Sequence, residues 1–116
     1  MKDKDDKLFL LHIRDAINLI EEFIESKDFE FFVNNKILKS AVVYHFQIIG
    51  EATKKLSPEL INEYSEINWK DIAGMRDKIV HSYFDVDYVL VWRVIKQDLP
   101  ALKSTVNTIL EDLEEE

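Results

Sequence analysis

The 116-residue sequence contains no cysteine, so neither a disulfide framework nor a thiolate metal site is open to it. Only two Gly and two Pro are present. That excludes the long turn-rich stretches of small β-proteins. No apolar run approaches the ~18 residues needed to span a bilayer, and no segment alternates apolar and polar residues for long enough to read as a strand. The opening Met1-Lys2-Asp3-Lys4-Asp5-Asp6-Lys7 has no apolar stretch behind it of the kind a signal peptide needs. The expectation is a cytoplasmic protein with no membrane contact. A net charge of −8 leaves no broad basic face for nucleic acid, although a small local site is not excluded. Much of that charge lies in two acidic tails, Asp3, Asp5 and Asp6 at one end and Glu111, Asp112, Glu114, Glu115 and Glu116 at the other. The body between them is nearly balanced.

What is present is apolar and helical. Apolar residues make up 47% of the chain, enough to fill a core for the one domain, residues 1–116, that this length allows. Phe9, Ile13, Ala16, Ile20 and Phe23 recur at helical steps and predict a first helix from about Asp5 to Ser26. Phe29 to Val33 reads as a helical turn. A second long helix is expected over Lys36 to Leu56, with Leu38, Ala41, Val42, His45, Ile48, Ile49, Ala52 and Leu56 on its apolar face. Ser57-Pro58-Glu59 is a helix start, with an N-cap, a proline at the first position and an acid in the first turn. Asn68 followed by Asp71 reads as a second start of the capping-box kind. The stripe of that helix is Trp69, Ile72, Ala73, Ile79 and Val80. A last helix starts near Asp85 or Asp87 and runs through Tyr88, Val91, Trp92, Ile95, Leu99, Leu102, Val106, Ile109 and Leu113, with Pro100 expected to kink it. The fold class is therefore all-α, an up-and-down bundle of three long and two short helices with apolar surface to spare for a dimer partner.

Three features break the pattern. Arg76 sits among apolar positions of its helix, which aims it at the core or an interface. A guanidinium there needs a partner, either a carboxylate such as Glu51 or a phosphate that its planar fork suits. Gly50 and Gly74 both fall in helical pattern, where each costs ~1 kcal/mol relative to Ala. Close crossing of two helices would explain both and would bring Glu51 near Arg76. Finally, His81 lies five residues after Arg76, about 140° around a regular helix, whereas Tyr83 is seven after and on the same face. Arg76 and His81 can converge only if the helix breaks near Val80 or if two chains pool their side chains. Alone, His81 reads as a cation near a helix C-terminus. His45 reads as a hydrogen-bonded core residue, and His12 lies at the edge of the first helix. No E-x-x-H or H-x3-H spacing points to a metal, and no cofactor is implied.

Arg76-Asp77-Lys78-Ile79-Val80-His81-Ser82-Tyr83 fits the R-x4-H-x-Y signature of HEPN domains. Its surroundings resemble the HepT branch. They are Gln47-Ile48-Ile49-Gly50-Glu51-Ala52 upstream, Trp69, Ile72, Ala73, Gly74 and Met75 just before, and Asp87, Trp92 and Leu99-Pro100 after. The resemblance covers nearly the whole chain. It implies a helical-bundle toxin of a toxin–antitoxin pair, a homodimer whose two motifs line one cleft, and a metal-independent endoribonuclease. The partner it implies is a small nucleotidyltransferase antitoxin that transfers AMP to the motif tyrosine, here Tyr83. Asp77 stands where the family often has Asn and adds negative charge beside the arginine.

The residues suit that chemistry. The 2′-OH of RNA can attack the adjacent phosphorus if a proton acceptor and donor is at hand, a role for His81. Arg76 can steady the charged oxygens, and Tyr83 can bond the phosphate or stack on a base. Lys54, Lys55, Lys78 and Arg93 can add local positive charge for RNA, although each also reads as a solvated surface residue. Two rival readings stand beside this one. The first is a non-catalytic helical dimer that binds nucleotide or docks the nucleotidyltransferase. The second is a metal-dependent carboxylate–histidine enzyme.

Overall fold

The computed structural model describes residues 4–82 and 84–115. Helix α1 (Lys4–Ile24) packs along α3 (Lys36–Lys54), with the short α2 (Phe29–Val33) between them in sequence. Next come α4 (Pro58–Glu63), α5 (Trp69–Ala73) and α6 (Met75–Ile79). A two-stranded antiparallel hairpin follows, β1 (Val80–Ser82) on β2 (Asp85–Val86), with an irregularity in register between Val80 and Ser82. The last helix comprises α7 (Tyr88–Arg93), a π-helical turn at Val94–Asp98, and α8 (Leu99–Glu114), which returns against α1. No helix among the described residues is long and apolar enough to cross a membrane.

The core is the sum of the helical stripes. Ile13, Ala16 and Ile20 of α1, Val42, Phe46 and Ile49 of α3, and Val106 and Ile109 of α8 are all buried. Helix starts follow local chemistry. Ser57, Asn68 and Asp87 each accept a backbone N–H three residues on, from Leu60, Asp71 and Leu90. The capping box at Asn68 is half made, because the Asp71 carboxylate faces Lys78 at 3.8 Å instead. His45 is hydrogen-bonded as expected but half-buried rather than in the core. Its Nδ1 bonds the Ala41 carbonyl at 2.7 Å, and its ring meets Phe23 and Tyr44 edge-on.

Two expectations are corrected. The chain does form strands, but of three and two residues, too short for alternation to show. The helix expected from Asn68 through Val80 is two helices hinged at Gly74, and it ends at Ile79 because Val80 is extended, with φ −110° and ψ 100°. Gly74 is thus a junction rather than a helix interior. As expected, Pro100 does not end the last helix, which runs on to Glu114. Its missing N–H and ring are accommodated by the wider turn just before it, where the Leu99 N–H reaches back five residues to Val94 O.

Asp6, counted with the acidic end in the sequence, is buried. It is 1% exposed, and its carboxylate accepts from the Ser57 N–H at 2.8 Å and from the Ser57 hydroxyl at 2.6 Å. The same hydroxyl caps α4. One buried charge therefore locks the start of α1 to the start of α4. Asp6→Ala should cost about 2–3 kcal/mol, because it strands partly buried donors, and Asp6→Asn should cost less. Urea unfolding measures both; equal midpoints for the two variants and the native chain would refute the lock.

At the other end of α4, Tyr64 donates to Asp112 at 2.7 Å, and its own carbonyl accepts from the Trp69 indole at 2.9 Å. Burial, then the Asp112 contact, holds the Tyr64 phenol well above its usual range.

Candidate functional site

Where α3 crosses α5 the backbones nearly touch. A Cβ built on Gly50 would lie 3.1 Å from the Ala73 carbonyl oxygen. That is tighter than most side-chain carbons show, so any larger residue would push the two backbones apart by a few tenths of an ångström, and glycine suits the crossing. Gly74 meets no such limit, since its nearest atom would be Lys70 O at an ordinary 3.5 Å.

Just outside the crossing is a polar cleft of about 310 Å³. Gln47, Gly50, Glu51 and Lys54 of α3 form one wall, and Ala73, Arg76 and Asp77 the other. The crossing thus brings Glu51 and Arg76 to one cleft, although they are not paired with each other. Glu51 lies 3.8 Å from Lys54, and Arg76 lies 3.6 Å from Asp77. The arginine side chain is 44% exposed. A continuous helix would have turned it inward, but the break at Gly74 turns it to solvent. Among the described residues the guanidinium is held by one loose, solvated ion pair.

His81 stands outside this cleft. The helix ends at Ile79, and His81 is the middle residue of β1, exposed, between the half-buried Val80 and Ser82. Alternation along an extended chain sends its ring to the opposite side from those two. The Asp87 N–H closes the hairpin onto the end of α6 by bonding Ile79 O at 2.8 Å. Tyr83 lies outside the described residues.

The candidate cations scatter. Lys54 lines the cleft with Arg76. Lys55 borders the adjoining groove, with His12 and Tyr44, and its ammonium lies 5.9 Å from the Phe9 ring. Lys78 faces Asp71 and an apolar groove on the far side of α6, and Arg93 is on α7. Gln47 joins the site through position alone. It lies one turn before Glu51 and lines both the cleft and the adjoining groove. Among the described residues no three His, Asp or Glu side chains are grouped to hold a metal ion.

Comparison with known proteins places the chain in a family. The family model described as "Ribonuclease HepT-like" matches residues 13–109. The chain is 42% identical over 115 residues to the protein named "Putative RNase MJ0125" of Methanocaldococcus jannaschii, covering 99% of each. It is 40% identical to "Putative RNase MJ1216" of the same organism, covering 98% of this chain and 94% of that one. A protein of Thermococcus cleftensis named "Probable ribonuclease HepT" is 41% identical, over 86% of this chain and 91% of its own. No solved structure matches. With a family match across nearly the whole chain and relatives of equal length at about two-fifths identity, the chain belongs to the HepT-like ribonuclease family.

Proposed function

We propose that the chain is an endoribonuclease that cuts RNA without a metal ion, acting as a homodimer through Arg76, His81 and Tyr83. The observation that carries this reading is the break at Ile79. It leaves Arg76 on the last turn of α6 and His81 on the strand that follows, both exposed and five residues apart.

In the proposed reaction the 2′-OH gives its proton to an imidazole as its oxygen attacks phosphorus. The 5′-oxygen leaves and takes a proton, and a 2′,3′-cyclic phosphate remains. A dimer that pools two motifs holds two His81 rings, one to accept and one to donate. Arg76 balances the charge that builds on the non-bridging oxygens. A second copy has a natural seat beside the cleft, because Ile37 and Tyr44, 84% and 59% exposed, fall on the same α3 face as Glu51 at steps of seven. Tyr83 contacts the phosphate or a base. It is also the acceptor for AMP from a small nucleotidyltransferase antitoxin, which would silence the toxin by filling the site with an anion.

Protein stripped with EDTA should cut single-stranded RNA and leave cyclic-phosphate and 5′-hydroxyl ends. A requirement for added divalent metal would overturn the reading. Co-expression with the nucleotidyltransferase should add the mass of AMP and abolish cutting, and Tyr83→Phe should block the addition.

A non-catalytic helical dimer that docks a nucleotidyltransferase is favoured by one feature, the Asp77 carboxylate 3.6 Å from Arg76, which opposes phosphate binding. Unmodified protein that binds the nucleotidyltransferase yet never cuts RNA would decide for it.

A further inference from the structure

In a chain this acidic, several cations are held by a carboxylate. Arg14, Lys54, Arg76, Lys78 and Lys103 each stand within 4 Å of one. Lys39, Arg93 and Lys96 have no such pair among the described residues, and two of them rest on aromatic rings instead. The Lys39 ammonium lies 4.5 Å from the Tyr88 ring centre, and that of Lys96 lies 5.0 Å from the Trp92 ring centre. All three belong to one surface. Tyr88, Trp92 and Lys96 follow one another at turns of the last helix, Arg93 flanks Trp92, and Lys39 reaches in from α3.

Trp92 is fixed from within. Phe32 packs on it at 5.3 Å and 33°, and Phe29 meets it edge-on at 6.1 Å. Outside it lies a shallow hollow of about 340 Å³ lined by Phe29, Val89, Trp92, Arg93, Lys96 and Gln97. An apolar floor with a rigid indole and two unpaired cations at the rim suits a ligand with a flat aromatic face and an anion beyond it. A nucleotide unit has that form.

The hollow lies along α7, which starts where α6 ends. The Asp87 N–H ties the start of α7 to the end of α6, and the six residues from Asp87 to Arg93 rise about 9 Å.

We propose that this surface holds single-stranded RNA flanking the cut. One base lies against Trp92, its phosphate sits between Arg93 and Lys96, and Lys39 meets the strand further along. Lys96 leaves the indole for the phosphate as the base arrives. The proposal rests on the ribonuclease reading for its purpose, though its binding can be measured apart from cleavage.

The test uses the His81→Ala protein, which binds without cutting, and a short RNA of mixed sequence. Of the two tryptophans, Trp69 is buried, so quenching of indole emission on titration reports Trp92. Adding Arg93→Ala with Lys96→Ala should weaken binding about tenfold and flatten the salt dependence by about one phosphate contact. In the otherwise native chain the same pair should raise KM with kcat unchanged, the mark of lost uniform binding. Both side chains are exposed, so unfolding should not move. Unchanged affinity and salt slope, or no quenching, would overturn the proposal. So would a change of oligomeric state with RNA binding intact, which would make the surface a protein interface. Should the native chain never cut RNA while quenching and its loss are both seen, the cleavage reading fails and the binding surface stands.

Discussion

His81→Ala should lower the rate of RNA cleavage by about 10²–10⁴-fold, the usual worth of a positioned general acid–base group. The unfolding transition should stay where it is. The separation of those two effects is what the structure makes testable. His81 is exposed on β1, while the core contact of that strand is made by its half-buried neighbour Val80. Truncating the ring therefore removes no packing, and a loss of activity cannot be blamed on a loss of fold. Cleavage followed on a fluorescent RNA under single turnover, with the melting temperature read in parallel, gives both numbers. Activity retained within a few-fold would remove His81 from the chemistry.

Arg76→Ala should cost about 10²–10³-fold, comparable to removing one donor from a site where negative charge develops. Arg76→Lys should recover only part of it, since an ammonium keeps the charge but not the fork. Asp77 supplies the opposing arm. Its carboxylate, 3.6 Å from the guanidinium and well exposed, competes with an incoming phosphate for the same group. Asp77→Asn should therefore hold or raise the rate and tighten RNA binding, most visibly at low salt, where exposed charges are least screened. Were Asp77→Asn to fall as far as Arg76→Ala, the pair would be acting as a unit and the aspartate would be a positioning residue for the arginine. Single-turnover rates for the four proteins at two salt concentrations resolve the cases.

How much of this could be read from residues alone differs from element to element. The caps at Ser57, Asn68 and Asp87 and the long apolar stripes were legible because their causes lie within four residues of each other. Gly50 was legible for a different reason. A glycine that weakens a helix needs an explanation, and the 3.1 Å approach of Ala73 O supplies it. Gly74 looked the same in the sequence and proved to be a hinge, since composition does not distinguish a close approach from a junction. The motif residues could be picked out by spacing, but the direction of Arg76 could not. A regular helix would bury it, and the break at Gly74 exposes it.

The one-dimensional pattern thus determined that the chain is helical, where most helices begin, which faces are apolar and which family it joins, because those properties depend on near neighbours and on residue order. Only the tertiary structure decided that Asp6 is buried against Ser57, 51 residues away, that a hairpin follows Ile79, and that Arg76 shares a cleft with Glu51. Those outcomes depend on which distant backbone arrives at a given side chain, and no local preference specifies that.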